Sequence, residues 1–149
     1  MKHLSIICLI LIIGLTSGCG VKKYPNDLEK NLLVRTKTEG TLFTSVEAFM
    51  KIYDDKGDCK KEFLGQIDLK NGETRVGIAA GRPAYIDLVF RAGNGYTHQS
   101  GIFTFRPGVH YVADVSYVDR IYNYEVHESG ANGKPGREIQ GRPRNCPDL

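Results

Sequence analysis

Residues 101–126 read GIFTFRPGVHYVADVSYVDRIYNYEV. From Val109 onward the side chains sort by parity. Val109, Tyr111, Ala113, Val115 and Tyr117 share one side, and His110, Val112, Asp114, Ser116 and Val118 share the other. A two-residue period is that of a strand with one buried face; a helix repeats its apolar positions every three or four residues. Residues 101–105 form a shorter strand upstream, stopped at Arg106-Pro107-Gly108, where proline presets a turn and glycine relieves it. Downstream, 121–128 continues the pattern with Tyr122, Tyr124 and Val126 on one face.

The same period extends back through the chain. Val46, Ala48, Met50 and Ile52 alternate with Glu47, Phe49, Lys51 and Tyr53, and Phe63, Ile67 and Leu69 alternate with Leu64, Gln66 and Asp68. Asn71-Gly72 then predicts a tight hairpin into a strand over 74–79. Over 85–91, Ile86, Leu88 and Phe90 oppose Tyr85, Asp87, Val89 and Arg91, and the polar stretch 93–100 reads as a loop. Seven or eight short strands about ten residues apart, with no amphipathic helix, predict an all-β fold over 32–128. An antiparallel β-sandwich is expected, with a small β-barrel as the alternative.

The flanks differ in composition. Met1-Lys2-His3 precedes LSIICLILIIGL, an apolar run too short for a helix that needs about 20 residues to span a bilayer. A basic start, a short apolar run and a small-residue exit predict a signal peptide over 1–18. Leu15-Thr16-Ser17-Gly18-Cys19 resembles the lipobox of bacterial lipoproteins. The resemblance implies cleavage before Cys19 and a diacylglycerol on its thiol, with two or more acyl chains giving a stable anchor. It also implies a cell-envelope address. Gly20 at the second mature position, where Asp resembles an inner-membrane retention signal, favours the periplasmic side of the outer membrane over the inner membrane or the cell surface. Residues 19–31 read as a lipidated polar tether, and 129–149, rich in glycine and proline, as an extended, mobile basic tail.

With Cys8 removed and Cys19 lipidated, Cys59 and Cys146 remain as an even pair in an oxidising compartment, and a disulfide between them is expected. Closing so long a loop stabilises the fold by about 4 to 5 kcal/mol through the unfolded chain's entropy. It also pins the tail at Cys146.

Fifteen Lys/Arg against fifteen Asp/Glu leave residues 19–128 formally neutral, so the basic surface that nucleic-acid binding needs is missing. His98, His110 and His127 have no zinc spacing, and Asp54-Asp55-Lys56-Gly57-Asp58 lacks the spacing of a calcium loop. It reads instead as a tight acidic turn. No nucleophile elbow, metalloprotease helix or phosphate-binding glycine loop occurs, and neither a catalytic residue, a cofactor nor a small-molecule substrate is expected.

Eight tyrosines and no tryptophan leave the aromatics as the informative set. Tyr111 and Tyr117 read as core. Phe49, Tyr53 and Tyr85, with Val89, lie opposite the most apolar faces of their strands and are candidates for partner binding or for core. The 101–126 run resembles the Pro-Gly turn and aromatic strand pair of small bacterial lipoproteins with an immunoglobulin-like or PEGA-like sandwich. That resemblance implies a non-catalytic envelope module that binds a protein partner. An inhibitor or immunity lipoprotein, blocking an envelope-directed enzyme through a charged loop such as 94–100 or 54–61, is the alternative.

Overall fold

The computed structural model describes residues 20–42, 44–130, 134–144 and 146. The expected signal peptide and Cys19 lie outside them. Nine strands follow in order: β1 (Leu32–Thr38), β2 (Val46–Gly57), β3 (Lys60–Leu69), β4 (Gly72–Val76), β5 (Pro83–Ala92), β6 (Gly95–Thr104), β7 (Tyr111–Val118), β8 (Ile121–Ser129) and β9 (Pro135–Glu138). They form a five-stranded sheet, β4-β1-β7-β8-β9, and a four-stranded sheet, β3-β2-β5-β6. The fold is a β-sandwich, and no helix or closed barrel occurs among the described residues. Every pairing is antiparallel except β1 with β7, which is parallel.

The alternation seen in the sequence becomes the inter-sheet core. Met50 and Ile52 of β2 and Ile86, Leu88 and Phe90 of β5 meet Val34, Tyr111, Ala113, Val115 and Val126 of the opposite sheet. Tyr111 is buried and its hydroxyl accepts the Arg106 N–H at 2.9 Å, fixing the turn before β7. Tyr117 is half-buried and its ring lies 5.7 Å from Phe90.

Three local expectations are corrected. Residues 93–100 are not a loop: the turn is confined to Gly93-Asn94, and β6 pairs with β5 from Gly95 onward. Its polar side chains hide the strand from a periodicity reading, but the ladder to β5 satisfies its backbone. Asn71-Gly72 is not a hairpin, because the chain crosses there from one sheet to the other, and β4 pairs with β1. Asn71 instead exchanges hydrogen bonds with the Thr38 backbone, accepting from its N–H and donating to its carbonyl at 3.0 Å. The tail, finally, is tied down beyond Cys146 alone. β9 pairs with β8, Ile139 packs on the core, and Arg142 bonds Ile102 of β6 in both directions at 2.9 and 3.0 Å.

The stretch before β1 also packs on the domain. The Tyr24 N–H donates to the Gln66 carbonyl at 3.0 Å and the Gln66 N–H to the Lys22 carbonyl at 2.9 Å, so Lys22–Tyr24 runs along β3. Gly65 makes this approach possible: a Cβ there would sit 2.4 Å from the Tyr24 nitrogen, and its φ of +151° disfavours other residues. The two edges of the four-stranded sheet are therefore each partly covered by a chain end, which blunts edge-to-edge association.

Candidate functional site

The outward face of the four-stranded sheet carries the unusual chemistry. Strand parity puts Phe49, Lys51 and Tyr53 of β2 beside Val89, Asp87 and Tyr85 of β5 in direct register. On either side stand Phe63, Gln66 and Asp68 of β3, and Ile102, Ser100, His98 and Tyr96 of β6. Val89 is only 1% exposed although it points away from the inter-sheet core, so this face holds an apolar layer of its own.

Of the three residues singled out from the sequence, the fold joins two directly. The Tyr53 and Tyr85 rings are 5.5 Å apart, edge to face, and Phe63 adds a third ring 5.1 Å from Tyr53. Phe49 stands two outward positions further along β2, next to Val89 in register, with the Lys51 ammonium 5.6 Å from its ring. Along β2 and β3 runs an open groove of about 1030 Å³, whose lining includes the apolar Val21, Val46, Phe49, Tyr53, Phe63 and Tyr96 and the charged Glu47, Lys51, Asp68, Lys70 and Arg91.

Two cations gather beyond Tyr53, at the edge of the groove. The Lys61 ammonium sits 4.4 Å from the Tyr53 ring centre and 4.3 Å from that of Tyr85, a double cation–π contact. Burial and the neighbouring Arg144 charge hold its pKa below the ordinary lysine range. Burial raises the Tyr53 hydroxyl pKa, with Asp87 adding to the effect, which keeps the phenol neutral. Asp87 is nearly buried and contacts His98 Nδ1 at 3.3 Å, while Arg91 is paired to Glu47.

Arg144 arrives from the tail. The Arg142–Ile102 bridge and the close packing of Gly141 on Gly101 and Phe103 lead the chain past β6, and Arg144 stacks 5.6 Å from Tyr85. Two residues on, Cys146 is bonded to Cys59 with the Cα atoms 5.6 Å apart, inside the range disulfides require. Cys59 occupies the two-residue turn between β2 and β3, and both turn residues, Asp58 and Cys59, have positive φ, as primed hairpin turns demand. The disulfide thus closes a strap over one end of this face.

Phe63, Lys61 and Arg144 were not legible as site residues. A β-bulge at Ile52/Tyr53 breaks the parity of β3, so Phe63 joins Tyr53 although a simple count puts it with the core residues. Lys61 and Arg144 are brought in by a hairpin tip and by the disulfide. The Asp54 carboxylate is paired to Lys56 and Arg82, and among the described residues no cluster of His, Cys, Asp and Glu could hold a metal ion. No described helix is long and apolar enough to cross a membrane. Comparison with known protein families, with curated proteins and with solved structures finds no match for this chain.

Proposed function

We propose that this chain is a lipid-anchored, non-catalytic envelope protein, tethered through Cys19 at the periplasmic side of the outer membrane, that binds a protein partner on the outward face of its four-stranded sheet. The observation that supports this reading is the second apolar layer: an aromatic groove flanked by cations, on the side of a sheet that a monomeric sandwich leaves to polar residues. Tyrosine and arginine are the side chains most used as binding anchors.

The start of the domain bears on geometry. Because Lys22 is already bonded to β3, a lipid on Cys19 leaves only Gly20 and Val21 as free chain, about 10 Å. Val21 itself lines the groove. The partner is then one that works close to the bilayer. Of the two charged loops the inhibitor or immunity reading called for, 95–100 lies within a paired strand, and 54–61 is the exposed β2–β3 hairpin tip, whose Lys61 turns onto the Tyr53 and Tyr85 rings of the sheet face.

Two experiments test the two halves of the proposal. Labelled palmitate should mark the wild-type protein and not Cys19→Ala; equal labelling removes the anchor. Cross-linked partner recovered with the wild type should fall at least about tenfold with Phe49→Ala and Tyr53→Ala, as for hot-spot aromatics. Undiminished recovery removes the face.

A further inference from the structure

Beyond Tyr53, at the edge of the groove, Lys61 and Arg144 bring two positive charges close together. Both cations stack on the Tyr85 ring, and Lys61 also on Tyr53. Neither forms an ion pair within 4 Å among the described residues. Asp55 stands opposite Lys61 in register without forming an ion pair with it, and Asp87, whose charge favours the Lys61 ammonium, is turned to His98. Two nitrogens of Arg144, Nε and Nη2, are shut off from water and bond to no acceptor, a state that costs free energy until an acceptor is supplied. Like charges held close together with no ion pair repel each other, and a bound anion relieves that repulsion.

We infer that the Lys61–Arg144 corner is an oxyanion subsite that takes a carboxylate side chain of the protein partner, resting on the reading of this face as the docking surface. Arginine's planar fork matches the two oxygens of a carboxylate, and lysine adds a point charge from the other side. The partner is identified as a polypeptide by continuity. Tyr53 and Phe63 line the groove and also border the corner, so one extended segment can lay an apolar side chain in the groove and an acidic one against Lys61 and Arg144. A bilayer surface cannot enter a concave groove in that way. Arg144 is held at the corner from both sides, by the Arg142–Ile102 bridge before it and by the Cys59–Cys146 bond two residues after it, which gives that bond a role in recognition.

The test is an NMR titration of the full chain, disulfide intact, following Lys61 and Arg144 side-chain signals. The probes are hexaglutamate, hexaglutamine, inorganic phosphate and vesicles containing an anionic phospholipid. Hexaglutamate should shift both signals and raise the Lys61 pKa, hexaglutamine should not, and Lys61→Ala or Arg144→Ala should each weaken hexaglutamate binding about tenfold. The inference is overturned if hexaglutamate binds the variants as tightly as the wild type, or leaves Lys61 and Arg144 unmoved. Saturation by phosphate or by vesicles without a response to hexaglutamate overturns it as well. Phe49→Ala separates the two readings: it should spare the Lys61 and Arg144 response while losing the partner, so failure of one is distinguishable from failure of the other.

Discussion

The two outward faces of this sandwich are built from the same strand geometry and solve exposure in opposite ways. On the five-stranded sheet, polar side chains are matched across and along strands: Arg35 of β1 lies 3.6 Å from Glu73 of β4, and within β8 Glu125 accepts from Asn123 at 2.9 Å with His127 at 3.4 Å. Such pairs are solvated and each contributes little. On the four-stranded sheet Arg91 is paired to Glu47, but Lys51 and Lys61, each opposite an aspartate in register, lie over aromatic rings, and Val89 is buried on that face. Charge placed on a ring and apolar area placed outward are dispensable for folding a sandwich whose core lies between its sheets. The difference therefore marks the face that is not simply solvated.

The largest effect should come from cutting the strap. Cys59→Ser with Cys146→Ser reopens the long loop and should lower the unfolding free energy by about 4 kcal/mol, measured by denaturant titration. The loss should fall unevenly on the two faces. Arg144 leaves Tyr85, so the Lys61 pKa should rise back toward the ordinary lysine range, while the Arg35 and Glu125 signals stay in place. Equal perturbation of both faces would show that the strap is a general staple with no tie to the groove.

A second break compares two valines. Val89→Ala removes packing from a site 1% exposed and should cost about 2 kcal/mol, in the range of other truncations of buried aliphatic side chains. Val112→Ala, at a half-buried position on the opposite face, should cost less than half of that. Similar costs would mean that the outward layer around Val89 is not packed, and the contrast between faces would shrink to one of charge.

This uneven distribution explains what could be read from the chain before its structure. Strands with one apolar side, β2, β5 and β7, announced themselves, because burial on one face imposes a period of two. β6 did not, since Tyr96, Thr97, His98, Gln99 and Ser100 are polar or amphipathic on both sides and the strand exists through its ladder to β5. β9 is exposed at all four positions and owes its order to β8. Phe49, Tyr53 and Tyr85 were visible as a set because parity opposed them to the core. Lys61 and Arg144 were not, because their meeting depends on a turn and a disulfide spanning most of the domain. Which sheet Asn71-Gly72 leads into was equally hidden, since turn chemistry describes a local bend and the crossing between sheets is decided by what β1 offers as an edge.

Titration separates the faces more finely. Lys61 has a folded-state pKa lowered by burial and by Arg144, below its value in the unfolded chain. Its charged form is therefore disfavoured by folding at neutral pH, and that penalty is relieved as pH rises through the lowered pKa toward the ordinary lysine value. Stability of the wild type should accordingly gain in this alkaline window relative to Lys61→Met, which carries no such group. A flat difference between the two proteins across the window would place Lys61 in water.

The smallest effect belongs to the other face and has the same sign in pH, in an acid window instead of an alkaline one. The Glu125 carboxyl is held below the usual glutamate range, first by the hydrogen bond from Asn123 and then by His127. A depressed folded pKa contributes stability that is present above the unfolded value and is lost as pH falls through the folded one. Glu125→Gln should thus flatten the acid limb of the stability curve slightly, with a small constant deficit above the ordinary glutamate range that disappears in acid, and no change in hexaglutamate binding. Because the carboxylate is fully solvated, salt should erase most of the effect, whereas the Lys61 shift, whose first cause is desolvation against the two rings and not a neighbouring charge, should persist in larger part. Equal salt sensitivity at both residues would mean that the rings do not shield Lys61, and the four-stranded face would then be solvated like its counterpart.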